Sequence, residues 1–303
     1  MSPPPAITRV SLHARENLSG LTVMMVAVAA FSLMDACLKL LSPYYPPLEI
    51  ASLRGMATLP IVVVWVAATG GFPGLLRIRV PLHLARGVLG VATLAFFTFG
   101  VRHLPLADAY SIFFVAPLLI TALAVPILGE RVDRTRWTAI AVGFGGVLIV
   151  LRPTTAGALT LPGLAILATA LGYALSAITV RVLGRTDSTQ SMVFWLMTLI
   201  AIGAGLLAIP MWRPLRHEHL WIVCGMGVSG SVGQWAVTEA FRRGEASFIA
   251  PFEYTALVWG MGLDWFVWKT IPTAVTLAGA SVIIASGIYL VRRERVHSTA
   301  EHP

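Results

Sequence analysis

Four ionisable side chains, Asp35, Lys39, Arg54 and Glu253, stand inside long apolar stretches of this 303-residue chain. A charge at membrane depth is costly, so it marks an ion or solute path or a paired structural charge. Glu253 follows Pro251 by two residues. Proline removes a backbone donor and leaves a carbonyl unpaired. A carboxylate beside a freed carbonyl suits an ammonium group, a proton or a water. The plainer reading is a neutral Glu253 bonded to a neighbouring helix. Asp35 and Lys39 are four residues apart, which sets them on one helix face as an ion pair. Arg54 competes for Asp35, and the three then form a gate. Alternatively, Arg54 pairs with Glu49 or reaches the lipid headgroups.

Aromatic residues accompany these charges. Tyr110, Phe113, Phe114 and Pro117 follow one side of one stretch, and Phe97, Tyr173, Tyr254 and Trp259 lie in others. Trp235 stands next to Gln234. A mostly apolar pocket with a few convergent polar groups is the usual form of a small-molecule site, although each aromatic also reads as packing or lipid contact. Pro117 and Pro251 are candidate flexible points. Glu239 precedes Arg242 and Arg243 by three and four residues and reads as a capping salt bridge. His217, Glu218 and His219 lack a third ligand at metal-site spacing. The GFGG at Gly143–Gly146 follows no strand and reads as helix packing. No catalytic cluster, metal site or cofactor motif is expected, and Cys37 and Cys224, both in apolar stretches, predict no disulfide.

The elements that must hold these residues are apolar helices. The chain is 57% hydrophobic and 12% charged, with mean hydropathy +0.80. Soluble domains carry about 25% charged residues, so half that level predicts a chain solvated by lipid. Ten runs are long enough to span a bilayer: about 18–41, 47–69, 81–102, 105–129, 134–152, 160–183, 188–210, 217–241, 245–268 and 272–291. With the N-terminus inside, 14 of the 22 Lys and Arg fall on the inner side and 5 on the outer. That bias predicts both termini in the cytoplasm and accounts for the net charge of +8 without nucleic acid.

The chain is also written twice. APLLITAL at Ala116–Leu123 returns as APFEYTAL at Ala250–Leu257, and the ends of the first and fifth runs return in the sixth and tenth. The expected units are an N-terminal segment 1–17, a first five-helix repeat 18–152, a second repeat 153–293 and a C-terminal tail 294–303. Five is odd, so the second copy enters the membrane from the opposite side, a plan used by secondary transporters.

ADAYSIFFVAP at Ala107–Pro117, ILGERV at Ile127–Val132, APFEYTALVWG at Ala250–Gly260 and Trp265 seven residues before Pro272 resemble the EamA family of the drug/metabolite transporter superfamily. The resemblance covers about 18–293. It implies a ten-helix transporter of a bacterial cytoplasmic membrane, often an exporter of amino acids or related metabolites. One departure is Lys269-Thr270, where the second half of such proteins often has Gly-Glu. Glu130 keeps that motif in the first half.

The reading is therefore an all-α membrane protein with two inverted repeats of five helices, moving a small metabolite as a monomer or homodimer. Runs 1, 3, 4, 6, 8 and 9 are expected to line a central cavity, with runs 5 and 10 peripheral. A channel-like or uniport pathway is the alternative, and an integral membrane enzyme stands further off.

Overall fold

The computed structural model describes residues 6–76, 78–103, 112–151, 160–269 and 274–300. Tyr110 lies outside the described residues, as does the side chain of Lys39. Among the described residues there is helix and no strand. The elements are α1 (Ala6–Leu41), α2 (Pro47–Ala68), α3 (Phe72–Leu76), α4 (Val80–His103), α5 (Ala116–Leu128), α6 (Arg134–Leu151), α7 (Leu161–Leu183), α8 (Thr189–Ala208), α9 (Leu220–Arg243), α10 (Ala246–Ile249), α11 (Ala256–Trp268) and α12 (Ala274–Ala300). Helix occurs in each of the ten apolar runs. Among the described residues six segments are long and apolar enough to cross a bilayer, and the apolar helices Ala116–Leu128 and Leu277–Tyr289 are shorter. Helices suit lipid because every backbone bond closes within the segment.

The sequence sets the helix ends. Thr160 accepts a hydrogen bond from the Gly163 amide at 3.3 Å, and Ser188 accepts one from Ser191 at 3.2 Å, so each caps the helix that follows. Gly129 ends α5 at φ 71°, a conformation that glycine takes without strain. Lys269 takes φ 55° after α11, the matching place in the second half.

α1 packs along α9, and α4 along α7. α2 lies on α9, and α8 on α4; α5 touches α7, and α11 touches α1. Exchanging the first five apolar runs for the last five turns each of these pairings into its counterpart. Two further pairings, α2 with α8 and α6 with α12, map onto themselves. Both are close. A Cβ built on Gly55 would stand 2.8 Å from the Cβ of Ala201, and one on Gly146 would stand 2.9 Å from the Gly279 carbonyl. The GFGG motif is thus a helix contact, where small residues let backbones approach.

Candidate functional site

Between the halves lies a cavity of about 310 Å³, near the lower end of the roughly 300–1,000 Å³ usual for ligand pockets. Asp35, Arg54, Phe114, Tyr173, Gln234 and Glu253 all line it. The cavity therefore draws on α1, α2, α7, α9 and the segments that lead into α5 and α11. Arg86, Gly90 and Thr93 of α4 and Leu196 and Ile200 of α8 complete the wall. The expected set of lining runs is thereby widened by the second, through Arg54, and the seventh. Among the described residues, none of α6 or α12 lines the cavity.

Glu253 is presented by an irregular piece of backbone. After Arg243 the chain makes a single helical turn, α10, then a 3-10 stretch over Ala250–Thr255, and only then α11. Pro251 stands at the start of the 3-10 stretch, where its missing amide costs little. Glu130 holds the beginning of this segment. Its carboxylate accepts from the amides of Ala246 (2.8 Å) and Ser247 (3.0 Å) and from the Ser247 hydroxyl (2.6 Å). A carboxylate on the first amides of a helical turn is a strong cap. In its counterpart Pro117, buried within the first turn of α5, the helix runs on regularly.

Inside the cavity the Tyr173 hydroxyl donates to Glu253 Oε1 at 2.9 Å. Arg54 donates to Gln234 Oε1 at 3.5 Å and lies 5.6 Å from the centre of the Phe31 ring. Its Nε is buried without a hydrogen-bond partner. Asp35 is exposed to the cavity and feels Arg54 as its neighbouring positive charge. Arg86, 2% exposed, donates to Ser176 Oγ at 3.3 Å and to the Met192 carbonyl at 3.0 Å.

The other sequence candidates lie elsewhere. Tyr254 was expected beside Glu253 in the cavity. It turns instead into packing against Phe114 and Phe144, with its hydroxyl buried and unpartnered. Phe97 stacks edge-on to Phe113 at 6.2 Å, one layer behind the wall. Trp235 packs on the core around Met24 and Phe241, and Trp259 is 43% exposed on the outer surface of α11. Glu49 does not pair with the Arg54 side chain; it accepts from the Arg213 amide at 2.9 Å. Glu239 makes the foreseen bonds to Arg242 (3.1 Å) and Arg243 (2.7 Å), and a further one from Thr189. Sequence reasoning gave Arg86 and Ser176 no role. A lone arginine early in an apolar run was the available signal.

Polar bonds bridge the two halves at the Glu130 end. Arg136 pairs with Glu245, Asn17 accepts from the Glu245 amide at 2.9 Å, and Arg243 donates to Ser19 at 3.0 Å. The His83–Asp187 pair, 2.8 Å apart and buried, ties α4 to the turn after α7. Burial alone would raise the Asp187 carboxyl. Hydrogen bonds from Thr186, His83 and the Arg79 amide outweigh it and hold the group below its ordinary value. Among the described residues no group of three His, Cys, Asp or Glu is placed to hold a metal. His219 instead bonds Tyr45 at 2.8 Å.

Long apolar helices around a cavity with charged walls define a multi-pass membrane protein that handles a small molecule. The EamA-like transporter family model matches residues 18–152 and again 161–293, and the chain belongs to that family. The chain is 28% identical over 282 residues to a pseudopaline exporter of Pseudomonas aeruginosa, covering 91% of this chain and 97% of the relative. It is 26% identical to a riboflavin transporter of Vibrio cholerae and to an S-adenosylmethionine uptake transporter of Rickettsia prowazekii, covering 94% of this chain and 96% of each relative. A solved crystal structure aligns with TM-score 0.78 over 91% of this chain and 98% of its own, at 19% identity, which supports the fold. The protein is a transporter of the drug/metabolite type and not an enzyme.

Proposed function

We propose that the chain is a secondary carrier that exports small metabolites, amino acids foremost, across a bacterial cytoplasmic membrane by alternating access. In this reading ten helices cross the bilayer as two inverted repeats, with both termini inside, and the protein works as a monomer or homodimer. The observation that carries it is the charged cavity shared by two halves whose helix pairings interchange. Exchange of the two halves' conformations would move the cavity's opening from one face to the other. Export and amino acids come from the family resemblance; of the relatives named above, one is an exporter and one an uptake transporter.

The Glu130 end is the inner end in this topology, and the bonds that bridge it close the cavity toward the cytoplasm. At the matching outer position the chain has Thr270, which carries no carboxylate. At the outer end the halves are joined by other residues instead: Arg213 donates to Glu49 and to the Tyr44 carbonyl, and Tyr45 bonds His219. A channel-like or uniport pathway is the second reading, compatible with the same cavity.

Flux into liposomes with a panel of labelled amino acids tests this. The carrier reading expects saturable uptake that Glu253→Gln lowers at least tenfold. Flux that rises linearly with concentration supports the pore. Unaltered flux in Glu253→Gln removes that residue from the mechanism.

A further inference from the structure

Two buried polar clusters stand outside the cavity, and their places in the chain match. Tyr45 lies two residues before α2, and Asp187 lies two residues before α8, which takes the place of α2 in the second half. The Tyr45 hydroxyl accepts from the Arg216 amide at 3.0 Å and meets His219 Nδ1 at 2.8 Å. Asp187 Oδ2 accepts from the Arg79 amide at 3.3 Å and meets His83 Nε2 at 2.8 Å. Each cluster thus sets one side chain on an amide and a histidine ring of the opposite half, at the start of α9 in one case and of α4 in the other. The third residue of each helix adds a bond to the same loop. Glu49 of α2 accepts from the Arg213 amide at 2.9 Å, and the Ser191 hydroxyl of α8 donates to the Gly74 carbonyl at 2.8 Å. The residue types differ, so the likeness is one of position and bonding rather than of copied sequence.

In the carrier reading the clusters lie on opposite faces, Tyr45 outer and Asp187 inner, and exchange of the halves turns one into the other. A contact that gates is closed on one face while its counterpart is open on the other. These two are closed together. A state shut at both ends would also show this, but a gate borders the path it closes. Among the described residues that line the cavity there is none of Tyr45, His219, His83 and Asp187. Tyr45 instead joins an apolar core of α1, α2 and α9 with Leu41, Leu53 and Met226. The Glu130 cap is of another kind, since its counterpart position holds Thr270.

We propose that the Tyr45–His219 and His83–Asp187 clusters are permanent staples, closed through the whole transport cycle. One fastens α9 to the α1–α2 corner, and the other fastens α4 to the α7–α8 corner. The bodies that move are then mixed, each built from helices of both halves, and the carrier does not open along the boundary between its repeats. Buried polar groups that are fully bonded are costly to part, which suits a fixed joint better than one broken in every cycle. The inference rests on the carrier reading.

The test uses the full-length protein in liposomes of known orientation, with Cys37 and Cys224 replaced and Ser176→Cys in the cavity wall as reporter. An impermeant maleimide is added from each face, and thermal unfolding of the same variants is followed in detergent. Tyr45→Phe and Asp187→Asn should each lower the unfolding midpoint by roughly 3 °C or more. His219→Gln and His83→Gln cut the same contacts from the other side and should act alike, so either variant of a pair carries the readout. In all four the ratio of outer to inner labelling rates should stay within about threefold of the reporter background. A larger rise in outer labelling when the Tyr45 cluster is cut, or in inner labelling when the Asp187 cluster is cut, would make that cluster a gate and overturn the proposal. Midpoints unmoved in all four variants would overturn it too, because a staple must bear load. Labelling of the reporter background from one face only would sink the carrier reading and this inference with it. Labelling from both faces that a staple variant redistributes sinks the inference alone.

Discussion

Tyr173 and Glu253 come from opposite halves of the chain's second repeat and meet at 2.9 Å across the cavity. Removing the hydroxyl removes one hydrogen bond, worth about 0.5–1.5 kcal/mol. Tyr173→Phe should therefore weaken half-saturation of flux about three- to tenfold, and less than Glu253→Gln does. A Tyr173→Phe carrier with native kinetics would detach this bond from transport. Away from the cavity, Asp187 gives a stability prediction. Its pKa is held below the ordinary value. Its contribution is then full above the unfolded value, roughly 3.9, and is lost as pH falls through the folded value. Asp187→Asn should cost about 1–3 kcal/mol near neutrality, and the difference from the native protein should shrink in acid. Thermal unfolding across pH checks this; a difference that grows in acid contradicts it. At this scale the sequence was informative where a charge interrupts apolar residues, as at Asp35, Arg54 and Glu253. It was silent on direction. Adjacent residues in a helix point about 100° apart, and the 3-10 stretch shifts the phase further, so Tyr254 points away from the cavity that its neighbour lines.

The broken helix from Ala246 to Trp268 depends on a cap supplied by the other half. Glu130→Ala removes three hydrogen bonds, and charged bonds of this kind are worth about 1.5–3 kcal/mol each at most. If that cap closes the inner gate, the variant should admit a membrane-impermeant thiol reagent to the cavity from the Glu130 face at least tenfold faster than the native carrier. An unchanged rate would reduce Glu130 to a structural cap. Lys269 offers a second check. Its φ of 55° is the left-handed region, which glycine adopts without penalty. Lys269→Gly should raise thermal stability by about 0.5–1 kcal/mol, and a loss would show that the lysine side chain repays the strain. The repeated ILGE and VWKT segments made this correspondence legible in the sequence, because Gly129 and Lys269 occupy matching places. The cap itself was not legible, since nothing in ILGERV says which amides Glu130 will meet more than a hundred residues later.

Seen whole, the molecule pairs each helix of one half with a partner whose counterpart recurs in the other half. Apolar runs revealed the helices, and the echo of APLLITAL in APFEYTAL revealed the duplication. The contribution of α8 to the cavity was hidden because Leu196 and Ile200 look like any membrane-facing residues. The central claim is that both faces reach this one cavity in turn. The direct measurement places a single cysteine at Ser176, with Cys37 and Cys224 replaced, in liposomes of known orientation. An impermeant maleimide is then added from each side separately. The account predicts labelling from either face and, after Glu130→Ala, faster labelling than before from the inner. Labelling from one face only, at all times of exposure and in both backgrounds, would contradict it.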